Sequence, residues 1–276
     1  MILVTGARGT VGHAVLDDLL AAGVPADRLR ASGRDPSVLD VPAGVATVAA
    51  DLADPSTLPA AFDGVEQAFL YASGDGSVVA EAARAAGVGH IVLLSSLSVL
   101  DDDPEDRIGA MHRGSEAPWH ESGVTATFLR PGAFAANTLD WADGVRAGRV
   151  ELPLPDSHVT PIHEADIADV AVAALTGGAV RGTAPSLTGP ESLSFREQVG
   201  VIAAEVGREV EVVALSADEY RERMGRFAPP WVADTLLRLW SASDGKPQPV
   251  DDVAPLLGRP GRSFARWVRD HRDAFA

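Results

Sequence analysis

The chain opens on Met1-Ile2-Leu3-Val4-Thr5-Gly6-Ala7-Arg8-Gly9-Thr10-Val11-Gly12, a short apolar run feeding straight into three glycines spaced Gly-x-x-Gly-x-x-Gly. Val11, Val15, Leu19 and Leu20 then fall on one stripe at helical spacing. Strand, glycine turn and helix in that order constrain the rest of the fold. The glycines permit a tight turn and a close approach of backbone N–H groups to a pyrophosphate, and they let helix and strand pack closely. The helix start adds unpaired donors and the positive end of its dipole. A P-loop is excluded, because no Lys-Ser/Thr follows the glycines. An ordinary glycine-rich turn is the bland alternative, and the position at the head of an alternating chain argues against it.

That alternation is visible through the first half. Apolar runs at residues 2–4, 29–31, 45–49, 67–71, 90–94 and 125–129 read as strands, with helical patterns at 11–22, 57–61, 77–86 and 107–121. This is the rhythm of an α/β doubly wound parallel sheet with right-handed crossovers. The second crossover, residues 33–44, is short and carries prolines, so its helix is expected to be abbreviated. Beyond Pro131-Gly132 the rhythm loosens. Residues 134–147 read as helix, 151–155 as extended, and 162–175 as a strand end continuing into an apolar helix. Ser194 and Glu197 form a capping-box pair ahead of a helix to 207. A strand over 209–214 and several helices complete the chain. The expected division is a dinucleotide-binding unit from residues 1–150 with 160–180, and a smaller C-terminal α+β cap from 181–276 with 133–159 contributing. Ligands are expected between them, at the carboxyl ends of the strands.

The 276 residues suffice for one large α/β domain or a core with an appendage. A formal charge of −16 disfavours nucleic acid and anionic membranes as partners. The absence of cysteine excludes disulfides, thiolate catalysis and cysteine metal sites. No apolar run is long enough to span a bilayer, and the apolar N-terminus belongs to the first strand. A cytoplasmic monomer or homodimer with a small-molecule substrate is therefore the expectation. The chain has one lysine, Lys246, and two tyrosines, Tyr71 and Tyr220. Those scarcities restrict the available acid–base chemistry.

Past the second strand stands Ser32-Gly33-Arg34-Asp35-Pro36. A carboxylate here would accept from ribose hydroxyls, whereas an arginine would hold a 2′-phosphate. Asp35 before Pro36 has the form of a helix N-cap, which leaves Arg34 for phosphate, with Arg8 a second charge. NADP(H) is the expected cofactor. At the third strand's end, Asp51 can accept from an adenine amino group while Leu52 donates its N–H; a plain cap is the alternative. Tyr71-Ala72-Ser73, at the fourth strand's end, would let the chain run beside the cofactor.

Taken together, these features resemble the NmrA-like branch of the atypical, or extended, short-chain dehydrogenase/reductases. The resemblance is carried by Thr5 to Gly12, Gly33-Arg34-Asp35-Pro36, Asp51-Leu52, Leu94-Ser95-Ser96, Ser122-Gly123-Val124, Leu129-Arg130-Pro131-Gly132-Ala133-Phe134 with Asn137, and Ile162-His163-x-x-Asp166-Ile167-Ala168. It covers about the first 170 residues in order and implies a Rossmann sheet. It also implies cofactor contacts from Gly6, Arg8, Gly9, Thr10, Val11, Gly12, Arg34, Asp51, Leu52, Tyr71, Ala72, Ser73, Ser95, His112, Pro131, Gly132 and Phe134.

The superfamily's Ser, Tyr and Lys set, with Tyr four residues before Lys, has no counterpart here, because Ala242 precedes Lys246 at that spacing. By alignment the tyrosine position falls on Ile108, the lysine position on His112 and the serine on Ser96. Ser96 and His112 are therefore the candidate catalytic residues. His112 either serves as a proton donor, as histidine can near neutral pH, or packs and hydrogen-bonds under the cofactor. The implied function is an NADP(H)-dependent oxidoreductase transferring hydride to or from an apolar or aromatic carbonyl or quinone-like compound. Alternatives are a non-catalytic NADP(H)-binding redox sensor, or an isomerase, epimerase or lyase on the same fold. His158 and His163, flanking Thr160-Pro161 near Glu164 and Asp166, are read as structural, and no metal is expected.

Overall fold

The structure is a computed structural model and describes residues 1–276 except 102, 104 and 252. Strands β1 (Ile2–Val4), β2 (Leu29–Gly33), β3 (Ala46–Ala49), β4 (Gln67–Tyr71), β5 (His90–Leu94) and β6 (Thr125–Pro131) form a parallel sheet. Its order is β3-β2-β1-β4-β5-β6, and a later two-residue strand, Ser186–Leu187, pairs with β6 at the edge. The sequence pattern missed that strand, because two residues are too few to show a period.

The period-2 alternation of the strands explains the two layers of helix. Ile2, Val4, Phe69 and Val92 face one side and pack on α1 (Thr10–Ala21) and on the helix Glu164–Leu175. Leu3, Leu70, Ile91 and Leu93 face the other and meet Phe62, Val79, Ala83 and Trp119. These come from α2 (Leu58–Phe62), α3 (Gly76–Ala85) and, past α4 (Arg107–Glu116), from α5 (Trp119–Ser122). With both faces covered, this is the doubly wound Rossmann arrangement. The expected helix over 107–121 is two helices: Pro118, lacking an N–H, stands at the break between α4 and α5. The abbreviated second crossover is a single turn, Pro36–Val38.

A smaller α+β region follows. The expected helix over 134–147 is a tight 3-10 turn, Ala135–Trp141, running into α6 (Ala142–Arg146). β7 (Arg149–Pro153) pairs in parallel with a late strand, Glu211–Leu215, while β8 (His158–Val159) pairs antiparallel with Leu193–Ser194. Between them lies α7 (Glu164–Leu175). After β9 (Ser186–Leu187) and β10 (Leu193–Ser194) come α8 (Phe195–Val206), β11 (Glu211–Leu215), α9 (Ala217–Met224), α10 (Pro230–Ala242), α11 (Ala254–Leu257), α12 (Phe264–Asp270) and α13 (Arg272–Phe275). The Ser194 and Glu197 capping box is formed. Ala135, Val150, Leu152, Phe195, Ile202, Phe264, Trp267 and Phe275 build a core separate from the two that flank the sheet. No described helix is long and apolar enough to cross a membrane.

Candidate functional site

The chain leaves β1 for β2 on one side and crosses to β4 on the other, so a crevice opens at the carboxyl ends of β1 and β4. The glycine turn fills its floor. Gly6 has φ +66°, which side chains rarely adopt, and its carbonyl accepts from Gly9 N at 2.8 Å. A Cβ on Gly12 would lie 2.3 Å from the Gly6 carbonyl oxygen, so α1 sits as close to the turn as a glycine allows. Gly9 caps α1 with no side-chain acceptor, and Arg8, Gly9 and Thr10 are exposed while Val11 is buried. The first N–H groups of α1 are thus left for an anion. Such a cradle fits the pyrophosphate of a dinucleotide. Thr5 ties the two strands: its N and Oγ1 both donate to Phe69 O, at 2.9 and 3.1 Å, and Oγ1 accepts from Tyr71 N at 3.3 Å. The Tyr71 ring then covers Gly6, with Ala72 N donating to Leu94 O at 3.3 Å and Ser73 half-buried beside it.

At the end of β2, Asp35 takes the capping role: Oδ1 accepts from Ser37 N at 3.0 Å and Ser37 Oγ at 2.6 Å. Those bonds, with Arg8 nearby, hold its carboxyl below the usual range. Arg34 is exposed, and neither it nor Arg8 has an ion pair or side-chain hydrogen bond among the described residues. Asp51 is half engaged, with Oδ1 accepting from Ala53 N at 3.0 Å, beside the buried Leu52.

At the end of β5 the two adjacent serines diverge. Ser95 is buried, and its hydroxyl donates to Glu116 Oε1 at 2.6 Å. Glu116, on α4, is in turn gripped by Arg130 of β6 through two bonds, at 3.0 and 2.6 Å. Ser96 is half-buried and accepts from Ser98 N at 3.2 Å, capping the turn Leu97–Leu100. That turn is latched to α4, where Arg113 donates to Asp101 O at 2.6 Å. His112 stands on α4, one turn before Glu116. Its Nδ1 is buried without a hydrogen-bond partner among the described residues, and burial pushes its pKa down, against the pull of Glu116 and Asp106. Ile108, the other aligned position, carries no ionisable group.

Gly132 follows β6 directly, and its N–H donates to Leu187 O at 2.9 Å. Past it, at Ala133 and Phe134, a cavity of about 790 Å³ opens. Its lining is mostly apolar and aromatic: Phe134, Trp141, Phe195, Tyr220, Phe227 and Trp240, with Leu152, Val159, Leu215, Met224 and Leu236. Phe195 sits edge-on to Trp240 and Trp141, at 5.1 and 5.9 Å between ring centroids. Neither Ser96 nor His112 is among the lining residues. Of these aromatics the sequence pointed only to Phe134 as a site residue; the others share no motif or spacing. The histidines of the 158–166 segment have structural partners. His163 caps α7 by accepting from Ala165 N at 3.1 Å, and Asp166 Oδ2 accepts from Arg262 N at 2.6 Å.

A family model described as NAD(P)H-binding matches residues 6–177. A (4-alkanoyl-5-oxo-2,5-dihydrofuran-3-yl)methyl phosphate reductase from Streptomyces griseus is 39% identical, covering 100% of this chain and 99% of its own. An NAD(P)H azoreductase from Xenophilus azovorans is 34% identical, covering 100% and 99%. An NADPH-dependent quinone oxidoreductase from Escherichia coli, solved with NADPH, superposes with a TM-score of 0.81 at 25% identity, covering 99% of this chain and 100% of that one.

Proposed function

The chain belongs to the NAD(P)H-binding family, and from that premise we propose that it is an NADPH-dependent reductase of a flat, largely apolar acceptor of carbonyl or quinone-like type. The observation that carries the reading is the aromatic cavity beside the carboxyl end of β6, large enough for a substrate of a few fused rings. The names of the relatives, reductases of a furanone phosphate, azo compounds and quinones, favour the same chemistry. Bound NADPH supplies the hydride; the chain's own residues bind, orient and shield.

In this reading the smaller α+β region closes over the sheet as a substrate cap. The Gly6–Gly12 turn and the start of α1 hold the pyrophosphate, while Arg8 and Arg34 hold the 2′-phosphate. Asp51 and Leu52 meet the adenine, and Tyr71, Ala72 and Ser73 wall the crevice. Ser95, Pro131, Gly132 and Phe134 border the nicotinamide end. His112 hydrogen-bonds to the cofactor ribose through its unpartnered Nδ1, a role that the depressed pKa and its absence from the cavity favour over proton donation. Ser96, outside the cavity lining, acts by positioning: it caps the turn Leu97–Leu100 and so holds the carboxyl end of β5 against the nicotinamide. A stopped-flow record of NADPH absorbance against a panel of quinones and aryl carbonyls tests the proposal. Acceptor-dependent oxidation supports it. NADPH that binds but is oxidised by none of them would make the protein a nucleotide-binding sensor instead.

A further inference from the structure

Reduction of a carbonyl needs a proton as well as a hydride, and this chain has no tyrosine–lysine pair to give one. Ser96 and His112 stand outside the cavity lining, so a donor has to come from the residues that face the acceptor. Among the described residues, no histidine, lysine or cysteine lines the cavity. Thr138 spends its hydroxyl on Ala135 O at 2.8 Å. Asn137, Gln198, Trp141 and Trp240 offer N–H groups that donate hydrogen bonds but keep their protons. The Arg223 guanidinium keeps its protons too. Glu151 accepts from Arg223 and, at 2.8 Å, from Arg149, and these bonds hold its carboxyl below the usual range, so it has no proton to give. Tyr220 remains. It stands half-buried on α9, with its ring tilted against Trp240 of α10 at 5.6 Å between centroids, which fixes where the phenol lies. Its hydroxyl has no hydrogen-bond partner among the described residues and stays accessible in the lining. Burial first, and the Asp140 charge second, push the phenol up to about 12, so it is protonated throughout the neutral range.

We propose that Tyr220, presented by the cap, is the catalytic proton donor to the acceptor oxygen. The inference deepens the reductase reading and rests on it. A C–H bond forms at the carbonyl carbon with hydride from NADPH, which is left as NADP⁺. The carbonyl π pair moves to oxygen, the Tyr220 O–H bond breaks, and its proton completes the product hydroxyl. Water then returns a proton to the phenolate; the exposed Phe227 marks where the cavity meets solvent. The strength of this donor sets what it can serve. The alkoxide left by an aldehyde is more basic than any phenolate and takes the proton outright. The anion left by a quinone is less basic than a tyrosinate whose phenol is held at about 12, so it receives only a hydrogen bond.

The test compares p-nitrobenzaldehyde with menadione, read by NADPH absorbance. The wild type should reduce both. Tyr220→Phe keeps the ring and its packing on Trp240, so it is expected to fold, and circular dichroism checks that it does. It should lower kcat/KM for the aldehyde by about a hundredfold and for menadione by only about fivefold, with NADPH affinity kept. A misshapen cavity would lower both acceptors alike, so the ratio separates proton donation from packing. Among the charged groups facing the same cavity, Asp140, Glu151 and Arg223, only Asp140 lacks an ion pair among the described residues. The pH profile distinguishes it from the phenol. With Tyr220 as donor, the wild-type aldehyde rate should stay level through pH 10, where an ordinary phenol ionises. A rate that fades as pH rises through the carboxyl range gives the proton to Asp140 and overturns the proposal. Equal losses for the two acceptors in Tyr220→Phe, an aldehyde rate left intact, or a wild type that reduces menadione but not the aldehyde also overturn it, and each spares the reductase. If neither acceptor oxidises NADPH, the reductase reading itself fails and takes the role of Tyr220 with it.

Discussion

The proposed reading puts cofactor choice on single side chains at the end of β2. Asp35 is occupied by Ser37, and Arg34 is exposed and without an ion pair among the described residues, so in the proposed reading Arg34 meets the 2′-phosphate. A charge-assisted bond of this kind contributes roughly 1.5–3 kcal/mol. Arg34→Ala should therefore cut the preference for NADPH over NADH by about ten- to hundredfold, as read by calorimetry with both nucleotides. Equal loss for the two would place Arg34 away from the 2′-phosphate. His112 offers a second single-residue test. Held under the ribose, it contributes one ordinary hydrogen bond, and His112→Ala should weaken NADPH binding by about fivefold while kcat at saturation changes little. Ser96→Ala should show the reverse pattern, with acceptor turnover falling and NADPH affinity kept. A His112→Ala variant with intact affinity and depressed kcat would reassign the imidazole to proton transfer.

Among the elements, β5 carries a buried histidine at its start. His90 is fully buried between β4 and β6. Its Nδ1 lies 3.0 Å from Arg181 Nη1 and 3.1 Å from Gln67 Oε1, and its Nε2 lies 2.9 Å from Thr127 Oγ1. Burial, and then the Arg181 charge, lower its pKa from 6.5 to about 4. Between those two values the unfolded chain binds a proton here and the folded chain does not. Stability contributed by this site is therefore complete above pH 6.5 and is lost as pH falls towards about 4. Urea midpoints at about pH 7.5 and pH 5 should differ in the wild type, and the difference should shrink in His90→Gln. An undiminished difference would move the acid sensitivity to other groups. At the carboxyl end of the same strand, the chain of Ser95, Glu116 and Arg130 joins β5, α4 and β6. It gives Ser95 a positioning part, since its hydroxyl is already spent.

The whole molecule is tied together at Asp166. This carboxylate is fully buried on α7. It accepts from Arg259 at 2.8 Å, from the Arg262 side chain, and from Arg262 N. The segment so anchored leads into α12, whose Phe264 and Trp267 belong to the third core together with Phe195, a wall of the cavity. Trp267 is anchored again through Nε1, which donates to Glu164 Oε2 on α7 at 2.8 Å. Asp166→Ala leaves Arg259 and Arg262 paired with Asp169 alone and strips Arg262 N of its acceptor, and should cost about 1–3 kcal/mol in urea unfolding. Among molecules still folded, kcat/KM for the acceptor should fall more than NADPH affinity, because the damage runs to the cavity and not to the glycine turn. Equal losses in both would mean that α7 transmits the change to the nucleotide crevice.

How much of this could be read from the sequence divides along local and distant contacts. Gly6, Gly9 and Gly12 stand within one turn and helix start, and the alternation of Leu3 with Ile2 and Val4 sets the two faces of the sheet. Local conformation and periodicity decide both, so the doubly wound parallel class and the glycine turn were legible. The Asp35 cap was legible for the same reason, since Pro36 and Ser37 complete it within three residues. Helix breaks and the edge strand Ser186–Leu187 were not, because Pro118 sits inside a continuing apolar pattern and a two-residue strand exists only through β6. The resemblance supplied Ser96 and His112 as candidates, but only the tertiary structure showed both outside the cavity lining, with an unpartnered Nδ1 on His112. The aromatic cavity was decided entirely in three dimensions. Trp141, Phe195, Tyr220, Phe227 and Trp240 come from separate turns and helices spread over about a hundred residues, and no spacing rule links them. The sequence by itself determined the sheet and the phosphate cradle, through contacts between near neighbours. What lines the aromatic cavity, and how its charged side chains pair, was decided only when distant segments met and Arg223 of α9 reached Glu151 of β7.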